Sequence, residues 1–128
     1  MTNFLFTILF ALIGTHQSAY PQPKIEIIPV VNTTTITAYT LSPDETDDDP
    51  CIGAGNNNLC ELRKTKTICA SRDLPLNTKV YIEGIGICEV LDRMNIRFKG
   101  TNRIDVLMDS KEEARKFGVK KLTYTLIK

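Results

Sequence analysis

Three carboxylates near the C-terminus have the types and spacing to share one chemical site. Asp92 closes the apolar run GIGICEVLD, and Asp105 and Asp109 bracket DVLMD. Between the first and the other two lies RMNIRFKGTNRI, in which four residues are basic. When carboxylates crowd one site, repulsion lets one of them keep its proton near neutral pH. A protonated acid poised over a glycosidic oxygen is the minimum equipment for cleaving a sugar chain. Asp105 falls in mid-strand, where Asp is depleted and a buried carboxylate is costly. It either lies on a half-exposed strand face or looks into a cleft, and the residues alone leave both open. Asp109 fits equally well as a turn or cap residue beside Ser110, and Asp92 as a cap on the loop that follows it.

The elements that would position these acids are mostly strands. TTTITAYT (33–40) is rich in β-branched and aromatic residues and reads as a first strand. LSPDETDDDP (41–50) carries five acids and two prolines and reads as a loop. TKTICAS (65–71) is a short strand, and RDLPLNT (72–78) a turn in which Asn77 suits the left-handed region. KVYIEGIGICEVLD (79–92) reads as a hairpin reversing at Gly84-Ile85-Gly86. In RIDVLM (103–108), Ile104, Val106 and Met108 share one face while Asp105, Leu107 and Asp109 share the other. Residues 111–117 are the one predicted helix, with Ser110 and Glu113 as a capping box and Gly118 as C-cap. KKLTYTLI (120–127) closes the chain as a strand. Six or so short strands with one small helix predict an all-β fold, a small β-barrel.

With 128 residues there is room for one domain. The apolar stretch 4–14 is too short to span a bilayer, and the first charge is Lys24. The pattern predicts a signal peptide over 1–19 and secretion, although the start lacks a basic residue. Residues 20–35, broken by Pro21, Pro23 and Pro29, read as an extended lead-in to a domain over 36–128. A net charge of +1 gives no basic field for nucleic acid, and after leader removal no membrane association is expected. His16, the sole histidine, lies in the expected leader, which removes His-based triads. Cys51, Cys60, Cys69 and Cys88 make an even count suited to two disulfides, and three pairings are open. The favoured one joins Cys51 to Cys60 and Cys69 to Cys88. Their spacing lacks the close pairs of a zinc site, and the acidic loop does not match an EF-hand, so neither metal nor cofactor is expected.

The chain also resembles a known family. ITAYT (36–40), TICASRDLPLNTKVYIEGIG (67–86) and KGTNRIDVLMDS (99–110), followed by Phe117-Gly118, are similar to the 3D domain. That family is named for three aspartates and includes MltA-type lytic transglycosylases and small germination- or resuscitation-linked proteins. The resemblance implies a double-psi β-barrel, stapled here by disulfides, acting as a monomer on cell-wall glycan. It implies Asp105 as general acid/base, Asp92 as its electrostatic partner and Asp109 as an orienting or sugar-binding acid. Tyr39, Thr40, Glu45, Lys99, Asn102 and Arg103 are the candidate substrate contacts. Arg93-Met94-Asn95 stands where the family has Thr-Gly-Gly after the first acid. That departure keeps open a binding or inhibitory module, and a hydrolase of another β-linked polysaccharide is the third reading.

Overall fold

The computed structural model describes residues 20, 21, 23, 29–44 and 49–128. The expected leader, residues 1–19, and the candidate contact Glu45 lie outside the described residues. Among the described residues six strands form: β1 (Val31–Tyr39), β2 (Thr67–Ser71), β3 (Lys79–Ile82), β4 (Gly86–Asp92), β5 (Ile104–Leu107) and β6 (Lys120–Ile127). They close into a barrel in the order β1-β5-β2-β4-β3-β6. The β1–β5 and β2–β4 pairs are parallel and the other four antiparallel, the mixed pairing of a double-psi β-barrel. Closure leaves no free sheet edge, which a chain of this size would otherwise have to protect.

Strand alternation builds the core. Ile36, Val80, Ile82, Val90, Ile104, Val106 and Tyr124 point inward, together with Cys69 and Cys88, which are disulfide-bonded inside the barrel. Cys51 bonds to Cys60, so both pairings follow the favoured assignment. A smaller cluster of Leu59, Ile68 and Leu91 packs on the outside of β2 and β4. Leu59 comes from α1 (Leu59–Leu62), a single turn capped by Asn58, whose side chain accepts from the Glu61 N–H at 3.2 Å. This turn and a 3-10 turn at Ile96–Phe98 are additions to the one predicted helix. That helix, α2, spans Lys111–Phe117 as expected, with the Ser110 hydroxyl accepting from Glu113 N–H and Gly118 ending it at φ 67°.

β1 begins at Val31, so the last five residues assigned to a lead-in belong to the barrel wall. They pair with β6 from Val31↔Thr125 to Thr35↔Lys121. The prolines stop at Pro29, and the Val-Asn-Thr-Thr-Thr run beyond it has its N–H groups available for the ladder. Asn77 takes φ 71°, and Gly84 and Gly86 take φ 79° and 102° in the β3–β4 reversal, where a Cβ would be strained.

Candidate functional site

Register places the two central acids. Asp105 of β5 pairs with Ala70 of β2, and Ala70 also pairs with Asp92 of β4. Paired residues on neighbouring strands point to the same side, so Asp105, Ala70 and Asp92 form one transverse row. Strands lie about 4.8 Å apart, so the outer two backbones are separated by roughly 10 Å with only a methyl group between them. The row depends on a β-bulge. β2 and β4 pair as Cys69↔Val90 and then as Ala70↔Asp92, which leaves Leu91 as the extra residue. Without the bulge Leu91 would face Ala70 and Asp92 would turn to the other side of the sheet. Leu91 instead packs outward on Leu59 and Ile68.

Above the row lies a polar cavity of about 360 Å³. Asp92 and Asp105 both line it, with Tyr39, Arg97 and Phe98 around them and Ala70 at its floor. Asp92 is held from three directions. It accepts from its neighbour's backbone, Arg93 N–H, at 2.9 Å, from Ala54 N–H at 3.3 Å, and from the Tyr39 hydroxyl at 3.3 Å. Burial, then the negative charges of Asp92 and Asp105, then the bond it donates to Asp92 push the Tyr39 phenol far above the ordinary tyrosine range. Tyr39 is therefore a neutral hydrogen-bond donor at any working pH.

The surrounding loops are tied down by contacts across long stretches of chain. Ala54 sits in the loop closed by Cys51–Cys60. The Gly53 backbone lies so close to β4 that a Cβ there would come within 2.6 Å of the Leu91 carbonyl oxygen. Arg93 donates to the Ser71 carbonyl at 3.1 Å and also to that of Leu74. Asp73 accepts from Gly100 N–H at 2.7 Å and Asn102 N–H at 2.9 Å, and these two donors hold its carboxyl below the usual range. Asn102 takes φ 55° there, and its carbonyl accepts from the Thr34 hydroxyl at 2.9 Å. Asn102 thus acts through its backbone in shaping the loop, while Lys99 follows the 3-10 turn as an exposed residue.

The third acid is elsewhere. β5 ends at Leu107, and the chain bends toward Ser110 before the alternation reaches Asp109. Asp109 is exposed; its N–H donates to Glu113 Oε2 at 3.3 Å. It lines a separate hollow of about 370 Å³ together with Thr40, Arg63 and Lys111. The structure therefore gathers Asp92, Asp105 and Tyr39 at one cavity and Asp109 with Thr40 at another. Arg103 lies over Phe98, a residue of the first cavity, its guanidinium carbon 4.6 Å from the ring centroid.

A further hollow of about 560 Å³, bordered by Asp49, Ala54 and Asn56, shares Ile52, Asp92 and Arg93 with the main cavity. The two hollows adjoin at these residues. Among the described residues no group of three or more His, Cys, Asp or Glu is placed to hold a metal ion. No helix among them is long and apolar enough to cross a membrane.

Ala54, Ala70, Asp73, Arg97 and Phe98 were not foreseen as site residues. Phe98 and Arg97 carried a signal, an aromatic among bases within the segment linking two candidate acids. Ala54 and Asp73 act through contacts 38 and 27–29 residues apart in sequence, which no local pattern encodes. Neither a protein-family model nor any curated protein matches the chain in sequence. The molecule is a small disulfide-stapled double-psi β-barrel, a fold compatible with a carbohydrate-active or carbohydrate-binding module.

Proposed function

We propose that the chain is a secreted glycan lyase of the lytic-transglycosylase kind, cleaving the MurNAc–GlcNAc bond of peptidoglycan and leaving a 1,6-anhydro end. The observation that carries this reading is the row of Asp105, Ala70 and Asp92 beneath one polar cavity. A second hollow adjoins the cavity at Asp92, which suits a ligand longer than one sugar. Two disulfides suit an oxidising compartment outside the cytoplasm. The resemblance of residues 36–40, 67–86 and 99–110 to the 3D domain, which falls short of a match to any family model, supplies the choice of glycan.

The lyase reading gives the two acids different tasks. Asp92 accepts from two backbone N–H groups and a phenol, donors that favour its carboxylate form. In this reading Asp105 is the acid that carries the proton. Asp105 donates it to the glycosidic oxygen as the anomeric C–O bond breaks, and the GlcNAc side departs as an alcohol. The carboxylate of Asp92 stabilises the positive charge that develops at the anomeric carbon. Asp105, now a carboxylate, takes the proton from the MurNAc C6 hydroxyl as that oxygen bonds to the anomeric carbon. The acid is restored and no water is consumed. Tyr39 keeps Asp92 aimed; Asp109 and Thr40 contact a more distant sugar; Lys99 and Asn102 shape the groove edge.

Incubating the disulfide-intact domain with purified peptidoglycan and weighing the products tests this reading. Anhydro-muropeptides are the expected result. Reducing ends in their place would assign hydrolysis, and co-sedimentation without products would assign a binding or inhibitory module.

A further inference from the structure

We propose that Arg97, Phe98 and Arg103 form an anion-reading station at the rim of the cavity, which takes a carboxylate or sulfate carried by the glycan. The inference rests on the cavity being a glycan groove and names the class of glycan it prefers. Four bases occur between Asp92 and Asp105, and two of them have structural employment. Arg93 is bonded to the Ser71 and Leu74 carbonyls. Lys99 lies close enough to Asp73 to help depress its carboxyl. Arg97 and Arg103 differ. Among the described residues neither makes an ion pair or a side-chain hydrogen bond.

Instead both guanidinium groups lie against one ring, with their central carbons 4.7 and 4.6 Å from the Phe98 centroid. Two like charges beside one ring repel, and an anion near them offsets that repulsion. Contact with the ring limits the motion of each guanidinium, and a guanidinium's fork of N–H donors matches a carboxylate or sulfate through two oxygens. Arg103 Nε is shielded from water with no acceptor, the kind of buried donor that calls for an explanation. Arg97 and Phe98 line the same cavity as Asp92 and Asp105. An anion held there places its sugar within reach of the two acids. A neutral glycan leaves both guanidiniums without a counter-charge.

The test uses the Asp105→Asn chain, so that turnover does not obscure binding, and three β-linked oligosaccharides of matched length: chitin, hyaluronan and chondroitin sulfate. The expected result is roughly tenfold tighter binding of the acidic oligosaccharides than of chitin, reduced by added salt. Arg97→Gln and Arg103→Gln are each expected to abolish that preference while melting like the parent, and Phe98→Leu to weaken it. Equal preference for the two acidic chains, which share a glucuronate carboxylate, identifies a carboxylate reader, and tighter binding of chondroitin sulfate than of hyaluronan a reader of sulfate; both support the station. Equal affinity for chitin and the acidic chains, or full preference in the Gln variants, overturns it, as does failure of all three to bind. Anhydro products from peptidoglycan are a separate readout, so the lyase reading can fail while the anion preference stands, and the reverse.

Discussion

Gly53→Ala reaches the site through its backing. A Cβ at this position would lie 2.6 Å from the Leu91 carbonyl oxygen and 2.9 Å from Leu59 Cδ2. The leucine side chain can yield, but the carbonyl belongs to the bulge residue of β4 and cannot move alone. Either the Cys51–Cys60 loop retreats or the bulge shifts. Overpacking of this kind costs about 1–3 kcal/mol. For a domain of this size that is a fall in melting temperature of roughly 5–20 °C. The consequence for the site exceeds the loss of stability, because both routes of relief disturb Asp92. Retreat of the loop lengthens the bond from Ala54 N–H, already 3.3 Å, and movement of the bulge re-aims the carboxylate itself. Calorimetric melting combined with product yield at a temperature where the variant stays folded measures both effects. A Gly53→Ala chain that melts with the parent and retains full yield would refute the claim that this close contact fixes the bulge.

Two further perturbations probe other parts of the arrangement. Tyr39 holds its proton far above the ordinary tyrosine value of 10.0 in the folded state. Its contribution is therefore full below that value and lost as pH rises from there toward its folded value, by up to about 1.4 kcal/mol per pH unit. Tyr39→Phe should flatten this alkaline loss and cost about 0.5–1.5 kcal/mol near neutrality through the missing bond to Asp92. Denaturant melts across alkaline pH report it, and an unchanged alkaline slope would count against the burial of this phenol. Removing either disulfide as a pair of alanines should cost about 3 kcal/mol by chain entropy. Cys51→Ala with Cys60→Ala should in addition depress turnover of the folded protein, since that loop carries the Ala54 N–H. Equal specific activity in both double variants would show that the loop does not position Asp92.

How much of this was legible in the chain differs from element to element, for physical reasons. α2 and β6 could be read to the residue because their signals are local: a Ser-x-x-Glu box, a glycine stop and β-branched alternation. β1 starts two residues ahead of the TTTITAYT run, because Val31 and Asn32 are held by long-range pairing with β6 that no local pattern encodes. α1 escaped notice because four residues are too short for a helical period; Asn58 and the adjacent disulfide define it. Alternation along β5 correctly put Asp105 opposite Ile104 and Val106, but extending it to Asp109 assumed two more residues of strand than exist. The placement of Asp92 beside Asp105 depends on a bulge at Leu91, and a one-residue irregularity leaves no mark in a hydrophobic pattern.

The central claim is that Asp105 moves a proton at a glycosidic oxygen while Asp92 faces it across Ala70. The most direct measurement compares peptidoglycan digests by the wild-type chain and by Asp105→Asn, with products resolved by mass and folding checked by melting. The account predicts 1,6-anhydro ends from the wild type, a fall of about 10²–10⁴ in their rate of formation by the variant, and little change in melting. Equal rates from the two chains would contradict it.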